Sequence, residues 1–252
     1  MELNISLAPD VLFHLGGLPV TNSLLWSFVV SLFLIIITLI VRGSLRPVPG
    51  KLQNIIELLI ESGYSFVKSV IGTEKKTKRI FPLIFTMFIF SLVANLAVYI
   101  PGQAAITLHK SEGIIPVFRS VMSDYSMVLV MTLIAVILTQ IIAIVVHGPF
   151  RYLGKFFNFK SPLKFFLGLM DIVAELSKIV SLSFRLFGNI FAGEVLGAVM
   201  LSLAPFVIPL PFMFLGLLTA FVQAFVFAVL TLVFVTLASE IDENELVESA
   251  SI

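Results

Sequence analysis

The sequence contains no cysteine, which excludes disulfides, thiolate metal sites, iron–sulfur ligation and cysteine nucleophiles. Its three histidines, His14, His109 and His147, are scattered and suggest no metal site. Charge is scarce: only 12% of residues are Asp, Glu, Lys or Arg, and the net charge of +1 creates no overall field that would attract nucleic acid. No Gly-rich loop ending in Gly-Lys-Ser/Thr occurs, so nothing in the chain reads as a nucleotide site. Lys and Arg are missing before Arg42, the wrong charge for a secretory leader, and the N-terminus reads as mature sequence. What fills the chain instead is hydrocarbon, with 59% apolar residues, 25 Phe among 252 positions and a mean hydropathy of +1.11. That composition belongs to a polytopic membrane protein.

Residues 1–23 precede the first long uncharged run, 24–41, which follows the capping candidates Thr21, Asn22 and Ser23 and closes at Arg42. At about 1.5 Å per residue this run just crosses a hydrocarbon core of about 30 Å. From 51 to 71 the pattern changes. Leu52, Ile55, Ile56, Leu59, Gly63, Phe66, Val67, Val70 and Ile71 share a helical face opposite Gln53, Asn54, Glu57, Glu61, Ser65 and Lys68. The spacing predicts an amphipathic interfacial helix, although packing against a partner helix gives the same periodicity. Uncharged spans follow at 80–100, stopped by Pro101-Gly102, and at 126–147, where Gln140 is the strongest polar interruption.

From 162 to 203 a helical pattern runs for about 60 Å, twice the bilayer core, yet it holds Asp171, Glu175, Lys178, Arg185 and Glu194. Pro205, Pro209 and Pro211 break the chain before a second long helix, 212–239. Neither fits upright, and the pair reads as a steeply tilted antiparallel hairpin. The expected fold is therefore a single all-α membrane domain with five crossings and one interfacial helix, ending in an acidic tail, 240–252, that frays in solvent. Lys and Arg concentrate in the segments 42–79 and 151–164, while the N-terminal segment and the proline turn have none. The excess of cations marks the cytoplasmic side, placing the N-terminus outside and the C-terminus in the cytoplasm.

Each charge within a membrane span costs about 2.5–3.5 kcal/mol on insertion scales, so five in one helix need a reason. At about 100° per residue, Asp171, Lys178, Arg185 and Asn189 fall near one line, whereas Glu194 faces the opposite side. Arg185 would lie near mid-depth, Glu194 toward the outside, and Asp171 with Glu175 toward the cytoplasm. This order suggests acids reachable from each side of the membrane, separated by a guanidinium that does not deprotonate. Gln223 on the returning helix falls at a depth suited to hydrogen-bonding Arg185, with Thr219 one turn away on the same face. Structural readings stand beside these: Lys178 extended toward headgroups or paired with Asp171 or Glu175, Gln223 and Asn189 as helix glue, and Gly188, Gly193 and Gly197 as close-packing positions.

The stretch from Leu176 through Arg185-Leu-Phe-Gly-Asn189 to Ala192-Gly193-Glu194 resembles the hallmark of subunit a of the F-type ATP synthase membrane sector. Pro49-Gly50-Lys51-Leu52-Gln53 with Glu57, Pro82-Leu83 through Asn95 to Pro101, and Gln223-Ala224-Phe225 recur in that family in the same order. The resemblance implies a stator and proton channel without ATP chemistry of its own. Its partners would be a rotating c-ring, peripheral-stalk b subunits and the lipid bilayer, in a bacterial plasma membrane. It implies that Arg185 faces the ring carboxylates and that Glu194, Asn189 and Gln223 line the proton path, with release near Asp171 and Glu175. Many members carry His where Gly216 stands, and some carry Asp where Val98 stands, so Asp124, Asn95 or His109 is expected to substitute. The transported ion is H⁺ or Na⁺, since the ring supplies that site. No cofactor is implied. A self-contained transporter should show inverted repeats, and the charged helix has no counterpart in the first half. A purely structural scaffold has little use for a mid-depth arginine.

Overall fold

Hydrocarbon faces outward across most of this molecule. Phe28, Ile40, Val145 and Phe214 leave 66%, 64%, 73% and 72% of their surface uncovered by the chain itself, a distribution suited to lipid rather than water. The structure is a computed structural model that describes residues 9–99, 106–110, 113–149, 152, 162–203 and 209–249. Six helices dominate it: α1 (Asn22–Ser44), α2 (Lys51–Ile71), α3 (Glu74–Leu96), α4 (Tyr125–His147), α5 (Pro162–Leu203) and α6 (Pro209–Ser249). Four helical segments are long and apolar enough to cross a membrane: Asn22–Ser44, Glu74–Tyr99, Tyr125–Val146 and Leu210–Ala238. The protein is a multi-pass membrane protein. At 42 residues α5 has the length, but its charges set it apart from these four.

Local chemistry explains the boundaries. Thr21 caps α1 by accepting from the Leu24 amide at 3.3 Å, and Asp124 caps α4 by accepting from the Ser126 amide at 2.9 Å. Gly72 closes α2 in the left-handed region at φ 75°, its amide bonded to the Lys68 carbonyl. α3 begins at Glu74, before the uncharged run, because Lys75, Lys76, Lys78 and Arg79 are good helix formers.

Three features differ from the expected all-α outline. Two short antiparallel hairpins flank the helices, β1 (Val11–Leu15) with β2 (Leu18–Thr21), and β3 (Thr107–Lys110) with β4 (Gly113–Pro116). Gly16 and Gly17, at φ 57° and 90°, supply the positive dihedrals a two-residue hairpin turn requires. The acidic stretch after Ser239, expected to fray, continues α6 in helical form to Ser249, since its Glu and Leu residues carry little helix penalty. The Pro101-Gly102 stop, Glu112, Pro205 and most of the 151–164 segment lie outside the described residues.

One core gathers Val121, Met122, Val128, Leu182, Leu186, Ile190 and Phe227 around the crossing of α4, α5 and α6. A second joins Val67 and Ile71 of α2 to Ile80 and Ile84 of α3 and Leu232 and Val235 of α6. The C-terminal half of α2 therefore packs against helices, with Tyr64 edge-on to Phe81 and Phe85 touching the space beside Gly63. Its N-terminal half keeps Leu52 and Ile55 exposed at 79% and 64%. Interior hydroxyls spend their donors locally: Thr139, Thr231 and Thr236 each bond the carbonyl four residues back at 2.9 Å. Between helices, Asn95 donates from Nδ2 to the Ala220 carbonyl at 3.1 Å, joining α3 to α6.

Candidate functional site

α5 and α6 run antiparallel through the site. Lys178 Nζ sits 4.9 Å from the centroid of the Phe234 ring, and Asn189 Nδ2 donates to Gln223 Oε1 at 2.8 Å, so later positions of α5 meet earlier positions of α6. α5 buries Leu182, Ser183, Leu186 and Ile190 against the rest of the chain, because these positions share one helical face. The opposite stripe, Ser181, Phe184, Arg185, Asn189, Ala192 and Leu196, remains exposed. Arg185 is in the middle of that stripe. Among the described residues no acid forms an ion pair with it.

Gln223 does not bond Arg185, contrary to the depth argument. Its oxygen is taken by Asn189, one turn further along α5, while Gln223 itself is buried to 4% exposure and Thr219 bonds the Leu215 carbonyl. Similar depth is insufficient: Arg185 points off the α5–α6 seam, and Asn189 borders it. Nor do all three α5 glycines pack closely within the chain. A Cβ on Gly188 or Gly197 would meet nothing within 4 Å, and one on Gly193 would meet only the Tyr99 hydroxyl, at 3.9 Å.

Glu194 lies on the inner side of α5, partly buried. The Ser123 hydroxyl, the Arg119 guanidinium and the Tyr99 hydroxyl are electrostatic neighbours of its carboxylate. Arg119 Nε in turn approaches Ser123 Oγ at 3.4 Å. Beside this group is a buried polar layer: Asp124, 2% exposed, accepts from Ser23 Oγ at 2.5 Å, and Asn22 Nδ2 reaches Asp10 Oδ2 at 3.4 Å. Asn95, fully buried, keeps its Oδ1 without a partner among the described residues. His109 lies in β3, with its side chain outside the described ones.

A second polar group forms at the opposite end of α4. Gln140 Nε2 donates to Glu175 Oε2 at 2.7 Å, and Lys178 Nζ bonds Glu175 Oε1 at 2.7 Å. The Tyr152 hydroxyl donates to Gln140 Oε1. Of the two acids considered for Lys178, Glu175 takes it. Burial, then the charges of Glu175 and Asp171, push the Tyr152 phenol above its ordinary range, which keeps it a neutral donor. Gln140→Leu removes partners from both Tyr152 and Glu175; the expected cost is about 1–3 kcal/mol, read as earlier thermal unfolding.

Two acid-bearing clusters thus occupy opposite ends of one helix, with an exposed guanidinium between them. The sequence itself is matched by known proteins. The chain fits the family model "ATP synthase A chain" over residues 24–236. It belongs to that family. An ATP synthase subunit a of Moorella thermoacetica is 32% identical over 90% of this chain and 94% of its own length. One from Campylobacter concisus is 35% identical over 86% and 88%, and one from Geobacter sulfurreducens 33% over 85% and 86%.

Within this member of the ATP synthase A chain family, sequence reasoning singled out Glu194 and Asp124 but missed Tyr99, Ser123, Arg119 and Tyr152. Ser123 adjoins Asp124, and Tyr99 follows Asn95 by one turn. Those spacings were the available signal. Gln140 was visible as a polar break in α4, yet nothing in the sequence paired it with Glu175.

Proposed function

We propose that the chain is the proton-translocating stator of an F-type ATP synthase membrane sector, giving two offset half-channels to a c-ring and coupling ion flow to rotation. The observation that carries this reading is Arg185 on an exposed stripe of α5, without an acid partner among the described residues of its own chain. A charge left in that position is costly in lipid unless another subunit supplies the carboxylate. Small neighbours, Ser181, Gly188 and Ala192, would let a partner helix approach closely.

In this reading α5 is the fifth crossing and forms with α6 the tilted hairpin, the N-terminus is outside, the C-terminus is cytoplasmic, and the membrane is a bacterial plasma membrane. Protons arrive from outside past Asp124 and Glu194, with Asn95, Asn189 and Gln223 as polar lining. They bind a ring carboxylate, travel with the ring and leave near Asp171 and Glu175. Arg185 holds the passing carboxylate ionised by opposite charge and blocks a continuous water wire. Each charge crossing 100 mV supplies about 2.3 kcal/mol to rotation. The exposed N-terminal half of α2 offers a surface for the peripheral-stalk b subunits. ATP chemistry belongs to other subunits.

The lack of native cysteine makes the test direct. In the assembled complex, Ser181→Cys and Ala192→Cys should crosslink to single cysteines in the ring's outer helix, whereas Ser183→Cys, on the buried face, should not. Equal crosslinking from both faces, or none from the exposed one, would overturn the reading.

A further inference from the structure

Glycine inside a helix costs about 1 kcal/mol relative to alanine, and Gly216 is a helical glycine in α6. Its reason lies across the α3–α6 seam. A Cβ at 216 would collide with the Tyr99 hydroxyl and come within 3.0 Å of Cζ and 3.2 Å of Cε1 of the same ring. Tyr99 ends the 3-10 turn Ala97–Tyr99 that continues α3, one turn beyond Asn95, which itself bonds the Ala220 carbonyl one turn from Gly216. The phenol is thus seated in a notch made by the absent side chain. From it the hydroxyl lies 3.9 Å from the Cβ position of Gly193, the residue before Glu194, and within electrostatic range of the Glu194 carboxylate.

Ser123 and Arg119 approach Glu194 from the segment leading into α4, and Tyr99 approaches from α3. Asn95 adds a buried Oδ1 without a partner among the described residues, one turn below Tyr99, and its amide bonds the Ala220 carbonyl, three residues before the Gln223 that accepts from Asn189. A phenol O–H both donates and accepts, the property a group between arriving water and a carboxylate requires. We infer that Tyr99, seated over Gly216, is a positioning residue of the outer half-channel, where its hydroxyl orients the Glu194 carboxylate and the water that reaches it.

This inference rests on the stator reading above, and its test separates the two. In the assembled complex in vesicles, Tyr99→Phe keeps the ring and loses the hydroxyl, and proton flow should fall about three- to tenfold, the effect of one lost hydrogen bond. Gly216→Ala drives the hydroxyl from its seat and should give a similar loss. Because both act through one group, the double variant should be little worse than either single one. Fluorotyrosines at position 99, nearly unchanged in volume, should alter flow in graded fashion with phenol acidity, which a packing role would not produce. Unchanged flow in Tyr99→Phe, fully additive losses, or indifference to fluorination would overturn the inference. If these occur while Arg185→Ala still stops coupled synthesis, only the inference fails; if Arg185→Ala also leaves synthesis intact, the stator reading fails with it.

Discussion

Arg185→Ala is expected to abolish proton-driven ATP synthesis while leaving the subunit folded. The side chain is exposed on its own chain and makes no ion pair with a described acid, so its removal breaks nothing in the α4–α5–α6 core built from Leu182, Leu186 and Phe227. What disappears is the fixed positive charge between the Glu194 cluster and the Glu175 cluster. In the proposed mechanism a ring carboxylate passing this position then has no reason to release its proton, and a water wire meets no electrostatic barrier. Arg185→Lys tests the geometry separately from the charge. An ammonium is a compact, strongly hydrated point charge, whereas the guanidinium offers a planar fork matched to a carboxylate. Losing one charge-assisted hydrogen bond of about 1.5–3 kcal/mol corresponds to about a ten- to hundredfold fall in rate. ATP synthesis by reconstituted vesicles under an imposed proton gradient checks both variants, with ring assembly confirmed in parallel. Normal synthesis in Arg185→Ala would be incompatible with the proposed function.

Glu194→Gln should slow proton uptake from the outer side by at least about tenfold, the lower range of what a positioned proton acceptor contributes. The amide has nearly the same shape as the carboxylate, so the local fold survives. It no longer binds and releases a proton. Arg119 and the Tyr99 hydroxyl, its electrostatic neighbours, are left facing a neutral group. ATP-driven acidification of inverted vesicles measures the effect together with passive flow. A pumping rate equal to that of the unmodified complex would demote Glu194 to a packing residue.

Arg185 and Glu194 are legible in the chain because lipid makes charge costly: a cation and an acid within one long apolar helix are anomalies that composition alone exposes. Helical periodicity then separates them to opposite faces. The same reasoning fails for Gln223, where depth matched Arg185 but the hydrogen bond goes to Asn189. Depth is a one-dimensional quantity, and a side-chain contact also depends on how two helices are rotated about their axes. Tyr99 escaped notice for a related reason. Tyrosine near a span end is commonplace, and only the approach of α3 to α6 brings its hydroxyl over Gly216 and close to Gly193, the neighbour of Glu194.

The sequence by itself determined that this chain is a membrane protein, where its apolar helices run, and which helix carries the charges. These follow from transfer energies and the 3.6-residue repeat, which act along the chain. Tertiary structure alone decided that Asp124 is bonded to Ser23, that Gln140 ties Tyr152 to Glu175, and that Arg185 is left facing outward. Contacts of this kind depend on the relative rotation and spacing of helices. In lipid these are set by close packing and a few interhelical hydrogen bonds, because the bilayer gives apolar faces little reason to prefer one another.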